Sequence, residues 1–166
     1  DHGKSWHIGG SVQDSTNECH VIERTDGTLL LNMRRSRYVS ETCKLIATSS
    51  DAGDTWSDYS PDKTLIAPRC QSSMIRYTLS NSGEKPIVLH CNPASKNIRQ
   101  NMTLRVSCDD GKTWKYSKVL DEGPSAYSSM AVMPDGQIVS LLETGKTHPY
   151  EKIAFMRFSI EWLTDG

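Results

Sequence analysis

The sequence predicts an all-β fold that forms part of a β-propeller, and two nested repeats carry this prediction. The first repeat has the form S-x-D-x-G-x-T-W and occurs at residues 49–56 and 107–114, with a shortened copy at residues 1–6. Its aspartates lie at positions 1, 51 and 109, so the periods are 50 and 58 residues. Periods of this length are typical of arrays whose units cannot bury their apolar faces alone.

The second repeat is a tight-turn sequence followed by an apolar run, which is typical of a β-hairpin. The turns lie at residues 25–28, 81–84 and 134–137, and the apolar runs at 29–31, 87–89 and 138–142. Each unit therefore contains a strand, a hairpin turn, two further strands, the S-x-D-x-G-x-T-W turn and a fourth strand. Four strands in about 50 residues match one propeller blade, and no segment shows sustained helical periodicity.

The residue types of the S-x-D-x-G-x-T-W motif favour a structural role. Asp and Ser cap backbone N–H groups, Gly supplies a left-handed conformation, and Trp can pack one unit against its neighbour. We therefore predict no catalytic or metal-binding role for the motif residues. They are Asp1, Gly3, Trp6, Ser49, Asp51, Gly53, Trp56, Ser107, Asp109, Gly111 and Trp114.

The repeats divide the chain into the end of one blade (1–6), two blades (7–60 and 61–120) and a last blade (121–166). In the first full blade, the outer strands are expected near residues 42–48 and 56–60. Propellers close with about four to eight blades, whereas this chain provides about three. We therefore expect the chain to be the C-terminal part of a larger closed domain, with the missing blades upstream.

Composition and charge exclude some classes of partner. The net charge is −1 and the charges are interspersed, which argues against nucleic acid or an anionic membrane as partner. No apolar run is long enough to span a membrane. The five cysteines lack the spacing of a zinc site, and free thiols in strands are favoured over a disulfide framework.

Four reactive polar residues occupy equivalent positions in two hairpins. They lie eight residues before and eight after the turn residues Asp26 and Asp135: Glu18, Arg34, Tyr127 and Glu143. Such positions face each other at the open end of a hairpin, away from its turn. Both hairpins therefore bring polar side chains to one end of the propeller, near its axis, where a ligand would bind.

Each of these residues also has a simpler interpretation. Arg34 belongs to an arginine-rich stretch, 34–37, which could be a solvated basic surface. Glu18 could be an exposed carboxylate at a strand start, and Glu143 a solvated strand end. Tyr127 could be a core aromatic with its hydroxyl at the rim. The shared position is what favours a site.

The sequence resembles the exo-α-sialidases (neuraminidases). The matching segments are residues 17–19 with 31–34, 92–99 and 127–143, and the S-x-D-x-G-x-T-W repeat is similar to that family's Asp-box. The resemblance covers nearly the whole chain in order. It implies a six-bladed propeller of which about three blades are present, and a secreted, cell-envelope or lysosomal protein.

The resemblance also implies a role for each candidate residue. Tyr127 would be the nucleophile and Glu18 the base that polarises its hydroxyl. Arg34 and Arg99 would be two of three arginines that bind the sialic acid carboxylate, and Glu143 would hold the third arginine. That arginine and the acid/base aspartate are expected upstream, so the chain alone is expected to be inactive.

The implied function is hydrolysis of terminal α-linked sialic acid from glycoconjugates, with retention through the tyrosine. This chemistry requires no metal or organic cofactor. The expected partners are sialylated glycoconjugates and the upstream blades, in the same polypeptide or a separate chain. The alternatives are a non-catalytic Asp-box propeller that binds glycans or proteins, and a sialyl-transferring relative. A decayed binding module would be expected to lack Tyr127, Glu18 or an arginine, and all are present.

Overall fold

A computed structural model describes residues 2–78 and 85–165 and confirms the all-β prediction. These residues form ten strands and one short helix. The elements are β1 (Thr16–Glu23), β2 (Leu29–Arg35), β3 (Cys43–Ser49), β4 (Ser60–Ile66), β5 (Ser73–Arg76), β6 (Val88–Pro93), β7 (Gln100–Ser107), β8 (Tyr116–Val132), β9 (Ile138–Thr144), β10 (Lys152–Phe158) and α1 (Ile160–Thr164). Two predicted features, Asp1 and the turn at 81–84, lie outside the described residues.

The strands form two antiparallel sheets with a propeller-like arrangement. The first has the order β1-β2-β3-β4 and the second the order β10-β9-β8-β7-β6-β5. Strand β8 is 17 residues long; its first part pairs with β7 and its last part with β9. Strand β5 contacts both β1 and β8. The first strands of successive units therefore lie side by side, as they do around a propeller axis.

The predicted fourth strand at 56–60 is wrong. The observed strand is β4, Ser60–Ile66, which pairs with β3. Ser57 already bonds to β3, its N–H donating to the Thr48 carbonyl at 2.9 Å, but the regular ladder begins only with the pair of Ile46 and Ser60. The first sheet thus extends past the predicted boundary at residue 60, and the boundary at 120 falls inside β8.

The motif turns are built by short side-chain bonds to the backbone. The Ser49 hydroxyl donates to Asp51 Oδ1 at 2.8 Å and accepts from the Gly53 N–H at 2.9 Å. Asp51 also accepts from the Thr55 N–H at 2.9 Å and from its hydroxyl at 2.5 Å. The second motif repeats all four bonds with Ser107, Asp109, Gly111 and Thr113. Asp and Ser thus cap the backbone as predicted.

The motif tryptophans differ in what they contact. The Trp114 indole N–H donates to Asp62 Oδ2 at 2.9 Å, so this ring joins the second sheet to the first. Trp56 packs against apolar residues of its own sheet. Trp6 is 89% exposed among the described residues, and its indole N–H donates to the Gly3 carbonyl at 3.1 Å. Its packing against a neighbouring unit stays a prediction.

Asp110 ties the two sheets together. This residue follows the motif aspartate and has a left-handed conformation with φ of 62°. Its carboxylate accepts from the N–H of Thr25 at 3.2 Å and from the Thr25 hydroxyl. It also forms an ion pair with Arg76, and its backbone carbonyl accepts from Arg24 Nε at 3.0 Å. The hairpin turn of the first sheet is therefore held by a motif turn of the second.

Candidate active site

Glu18 reaches the site because it is the extra residue of a β-bulge. The predicted pairing of Glu18 with Arg34 across the hairpin is wrong: Asn17 pairs with Arg34 and Cys19 pairs with Met33, which leaves Glu18 unpaired between them. Its φ of 34° is unusual for a residue that is not glycine. Bulges commonly re-aim a side chain beside an active site. Here the bulge brings the Glu18 carboxylate beside Arg34.

Glu18, Arg34 and Tyr127 form one hydrogen-bonded cluster. Arg34 Nη1 lies 2.6 Å from Glu18 Oε2 in an ion pair, and 3.4 Å from the Tyr127 hydroxyl oxygen. The Tyr127 hydroxyl donates to the other carboxylate oxygen, Glu18 Oε1. Glu18 and Tyr127 are 109 residues apart in sequence and lie on different sheets. Their predicted proximity is confirmed.

The cluster shifts the pKa values of its members in opposite directions. Burial by itself would raise the pKa of Glu18, but the hydrogen bonds from Arg34 and Tyr127 outweigh it and lower that pKa. The bond to Glu18 raises the pKa of Tyr127, and burial and the Glu18 charge add to this effect. At neutral pH the pair is therefore a carboxylate and a protonated phenol. A carboxylate placed in this way can accept the phenolic proton as the phenol reacts.

Arg99 lies on the other side of Tyr127. Its guanidinium carbon is 5.6 Å from the centre of the Tyr127 ring, within the range of a cation–π contact. Arg99 Nη2 donates to the Arg69 carbonyl at 2.9 Å, and Nη1 donates to the Tyr150 hydroxyl. Two guanidinium groups, those of Arg34 and Arg99, therefore flank the Tyr127 side chain.

Glu143 supports the same tyrosine from its backbone. Glu143 Oε2 accepts from the Tyr127 N–H at 3.0 Å. The ladder between β8 and β9 is irregular at this point, so the N–H of Tyr127 is satisfied by a side chain instead of a strand partner. Glu143 thus lies at the site as predicted, and its role toward a third arginine stays a prediction.

Sequence reasoning missed Tyr150 and Glu151, which lie on the loop after β9. The Glu151 carboxylate accepts the N–H groups of Lys146, Thr147 and His148, each at 2.9 Å. These bonds order the loop that carries Tyr150 to Arg99. Their position in the sequence could have indicated them, because the polar loop that carries them directly follows the strand that ends with Glu143 at the ligand end of the propeller.

All five cysteines are free thiols, and three of them are buried, which confirms the preference for thiols over a disulfide framework. The helix in the described part of the chain is five residues long, and no helix there is long and apolar enough to cross a bilayer.

Four-stranded antiparallel units with repeated capped turns define the chain as part of a β-propeller. A family model for the BNR repeat-like domain matches residues 1–139, and the chain belongs to that family. It is 34% identical to a sialidase of Micromonospora viridifaciens over an alignment of 169 residues, which covers 98% of this chain and 25% of that protein.

Solved structures show the same likeness. An intramolecular trans-sialidase from leech superposes with a TM-score of 0.82 at 28% identity, covering 99% of this chain and 27% of that one. A Hadza microbial sialidase gives a TM-score of 0.81 at 32% identity, covering 99% of this chain and 31% of that one. The chain thus spans about a quarter to a third of the length of these proteins.

Proposed function

We propose that this chain supplies the tyrosine, glutamate and two arginines of an exo-α-sialidase, which hydrolyses terminal α-linked sialic acid from glycoconjugates. The observation that carries this proposal is the hydrogen bond from Tyr127 to Glu18 between two guanidinium groups. Proteins described as sialidases are similar to nearly the whole chain, which supports the same function. The remaining parts of the site are expected in upstream blades.

Arg34 and Arg99 suit a substrate that carries a carboxylate on its anomeric carbon. A guanidinium group keeps its charge at all physiological pH values and binds a carboxylate through two parallel hydrogen bonds. Both groups flank Tyr127, so a bound carboxylate would place the anomeric carbon near the phenolic oxygen. A carboxylate nucleophile would be repelled by this substrate, whereas the neutral phenol is not.

In the proposed reaction, the Tyr127 oxygen bonds to the anomeric carbon as the bond to the leaving oxygen breaks. The phenolic proton passes to Glu18, and an acid from an upstream blade protonates the leaving group. Water then gives a proton to the same upstream group and attacks the anomeric carbon from the side that the leaving group vacated, opposite Tyr127. The bond to the Tyr127 oxygen breaks, and Glu18 returns the proton to that oxygen. Two displacements give net retention, and tyrosine nucleophiles are among the known variants of retaining glycosidases.

The test is release of a fluorescent leaving group from an aryl α-sialoside by the complete parent protein, with Tyr127→Phe measured in parallel. We expect the substitution to lower kcat by about a hundredfold or more, because it removes the attacking oxygen. Binding of sialic acid should persist, because both arginines remain. Tyr59→Phe, in which a tyrosine at the outer edge of the first sheet is changed, is the matched control and should keep full turnover.

Two other outcomes would redirect the proposal. Full turnover by Tyr127→Phe would exclude Tyr127 as the nucleophile. No turnover by either folded protein would favour a non-catalytic module that binds glycans or proteins. The leech neighbour is described as an intramolecular trans-sialidase with 2,7-anhydro-Neu5Ac. Identification of the released sugar by NMR would therefore distinguish hydrolysis from this second activity.

A further inference from the structure

An arginine-lined cleft of about 660 Å³ adjoins the candidate site. Its lining consists of Arg34, Arg35, Arg37, Val39, Ser40, Pro68, Arg69, Asn97 and Arg99. Five of these nine residues are arginines, and none is acidic. The proposed function uses Arg34 and Arg99 for the sialic acid carboxylate. It leaves the other three arginines of the same cleft without a role.

The additional arginines are only partly compensated: the Glu41 charge acts on Arg35, and Arg37 Nη2 donates to the Tyr38 hydroxyl at 2.6 Å. Among the residues that the structure describes, none of Arg35, Arg37 and Arg69 forms an ion pair. Arg35 Nη1 donates to the Val39 carbonyl at 2.9 Å, but its buried Nε has no hydrogen-bond partner. Burial lowers the pKa of Arg35, and the positive charge of Arg69 lowers it further.

Arg35 distinguishes this cluster from a solvated basic surface. Arg37 and Arg69 are exposed, whereas Arg35 is half-buried and its Nε is buried without a hydrogen-bond partner. Convergence of guanidinium groups around a cleft costs free energy unless an anion binds between them. The cleft therefore has the charge and the unsatisfied donor expected of an anion site.

The position of Arg69 relates this second cluster to the first. Its backbone carbonyl accepts from Arg99 Nη2 at 2.9 Å, so the two residues are in direct contact. Arg35 directly follows Arg34 at the end of β2. A ligand whose carboxylate is held by Arg34 and Arg99 would thus have the rest of the cleft open to its next sugar. The volume lies within the roughly 300–1,000 Å³ range of ligand pockets.

We propose that Arg35, Arg37 and Arg69 form a subsite for an acidic group on the sugar next to the terminal sialic acid. This inference rests on the proposed function. The ligand chemistry is an oxyanion, either the carboxylate of an internal sialic acid or a sulfate ester. The substrate class is therefore a doubly acidic glycan, whose second anion neutralises the arginines that the terminal residue leaves unpaired.

The experiment compares kcat/KM of the complete protein on three substrates: 3′-sialyllactose, its α2,8-disialyl counterpart and a sulfated 3′-sialyllactose. The measured quantity is the kcat/KM on each doubly acidic substrate divided by the kcat/KM on 3′-sialyllactose, which has one acidic group. We expect Arg69→Gln to lower this ratio about tenfold, the worth of one charge-assisted contact. Arg69→Lys should retain part of it, because the charge remains without the planar fork.

Arg157→Gln provides the matched control. Arg157 is an exposed arginine paired with Asp135 near a hairpin turn, and its loss should not change the ratio. The doubly acidic substrate that loses more with Arg69→Gln identifies the anion as carboxylate or sulfate. The inference is overturned if Arg69→Gln and the unchanged protein give the same ratio on both doubly acidic substrates, or if the control lowers it equally.

The aryl α-sialoside separates failure of this inference from failure of the proposed function. The aryl group of this substrate carries no second acid. If the substrate is hydrolysed, the proposed function stands, and the ratio of kcat/KM values tests the subsite by itself. If it is not hydrolysed, the proposed function fails, and calorimetric binding of the same glycans replaces turnover. Binding of the disialyl or sulfated glycan that is no tighter than binding of 3′-sialyllactose would then contradict the subsite.

Discussion

Lys44 is the residue that most clearly departs from what its sequence position suggests. Its side chain is only 1% exposed, and Nζ donates to the Cys70 carbonyl at 2.7 Å. Burial lowers its pKa to about 7, and the charges of Glu18 and Arg34 also act on it. Alternation along β3 would place Lys44 opposite its buried neighbours, yet Cys43, Lys44 and Leu45 are all buried. The register shift beside Lys44 puts its extra residues, 63–65, on β4, so it does not interrupt the alternation along β3. The partner of Lys44 lies 26 residues later in the chain, so the local sequence does not predict the burial.

Lys44 should give the protein a measurable dependence on alkaline pH. The ammonium has an ordinary pKa of 10.5 and a folded pKa of about 7. Between these values the unfolded chain binds more protons, so the free energy of unfolding rises with pH. Lys44→Met, which has a similar length, should lack this rise. Urea unfolding of both complete proteins from pH 6 to 10 checks this, and parallel curves would contradict it.

In contrast to the burial of Lys44, the location of four site residues could be predicted from the sequence. Glu18, Arg34, Tyr127 and Glu143 lie at fixed distances from hairpin turns, and a hairpin turn sets the register of its strands. That register determines which end of the sheet a residue occupies. Tyr150 has no such reference, because it lies on a loop whose shape depends on Glu151.

At the scale of elements, the motif turns are the most regular feature of the chain, yet their two central glycines face different surroundings. Gly53 and Gly111 both have left-handed backbones, with φ of 94° and 76°. A Cβ on Gly53 would have ordinary contacts, the nearest at 3.6 Å. A Cβ on Gly111 would lie 2.6 Å from Leu30 Cδ2 on the neighbouring sheet. The first motif therefore has room for a Cβ at its glycine, whereas the second does not.

Alanine substitutions at these two glycines should separate backbone strain from packing. Gly53→Ala should cost about 1–2 kcal/mol, the strain of a left-handed alanine. Gly111→Ala should cost more, because the Leu30 side chain is 1% exposed and has little room to move. Denaturant unfolding of both complete variants measures the difference. Equal losses would show that the Leu30 contact adapts freely.

The same contrast marks the limit of sequence reasoning for elements. The capped turn was predictable because Asp, Ser and Gly act on their own backbone within a few residues. The start of β4 was not, because it depends on where pairing with β3 becomes regular, which is at Ser60 and not at the first bond from Ser57. The contact of Gly111 with Leu30 depends on the packing of two sheets, which no local pattern encodes.

At the scale of the whole molecule, Asp110 links the sheets through Thr25 of the first sheet. Its ion pair with Arg76 lies within the second sheet, and Arg76 Nε in turn donates to the Glu23 carbonyl of the first sheet at 2.8 Å. Burial would raise its pKa, but the bonds from Thr25 and Arg76 hold the pKa below the ordinary 3.8. A lowered carboxyl pKa stabilises the folded state above the unfolded value, and this stabilisation is lost as pH falls further. Asp110 occupies a variable position of the motif, so the sequence alone gives it no special status.

The interface between the sheets should therefore loosen in acid. In the complete protein, amide exchange at Thr25 should be protected at pH 5 relative to its intrinsic rate and lose protection below about pH 3.8. Asp110→Asn should reduce protection at pH 5, because the ion pair to Arg76 is gone, and should remove the dependence on pH. Unchanged protection in this variant would show that other contacts hold the sheets.

The separation of Glu18 and Tyr127 also has a consequence for how the protein is made. Glu18 lies on β1, and its partner lies 109 residues later on the second sheet. Ribosomes add about 5–20 residues each second, so the bulge that presents Glu18 leaves the ribosome several seconds before the tyrosine exists. During this interval the Glu18 carboxylate can already bind Arg34, which follows it by 16 residues and belongs to the same cluster. The ion pair between Glu18 and Arg34 can thus keep the first half of the cluster in place until the second half arrives.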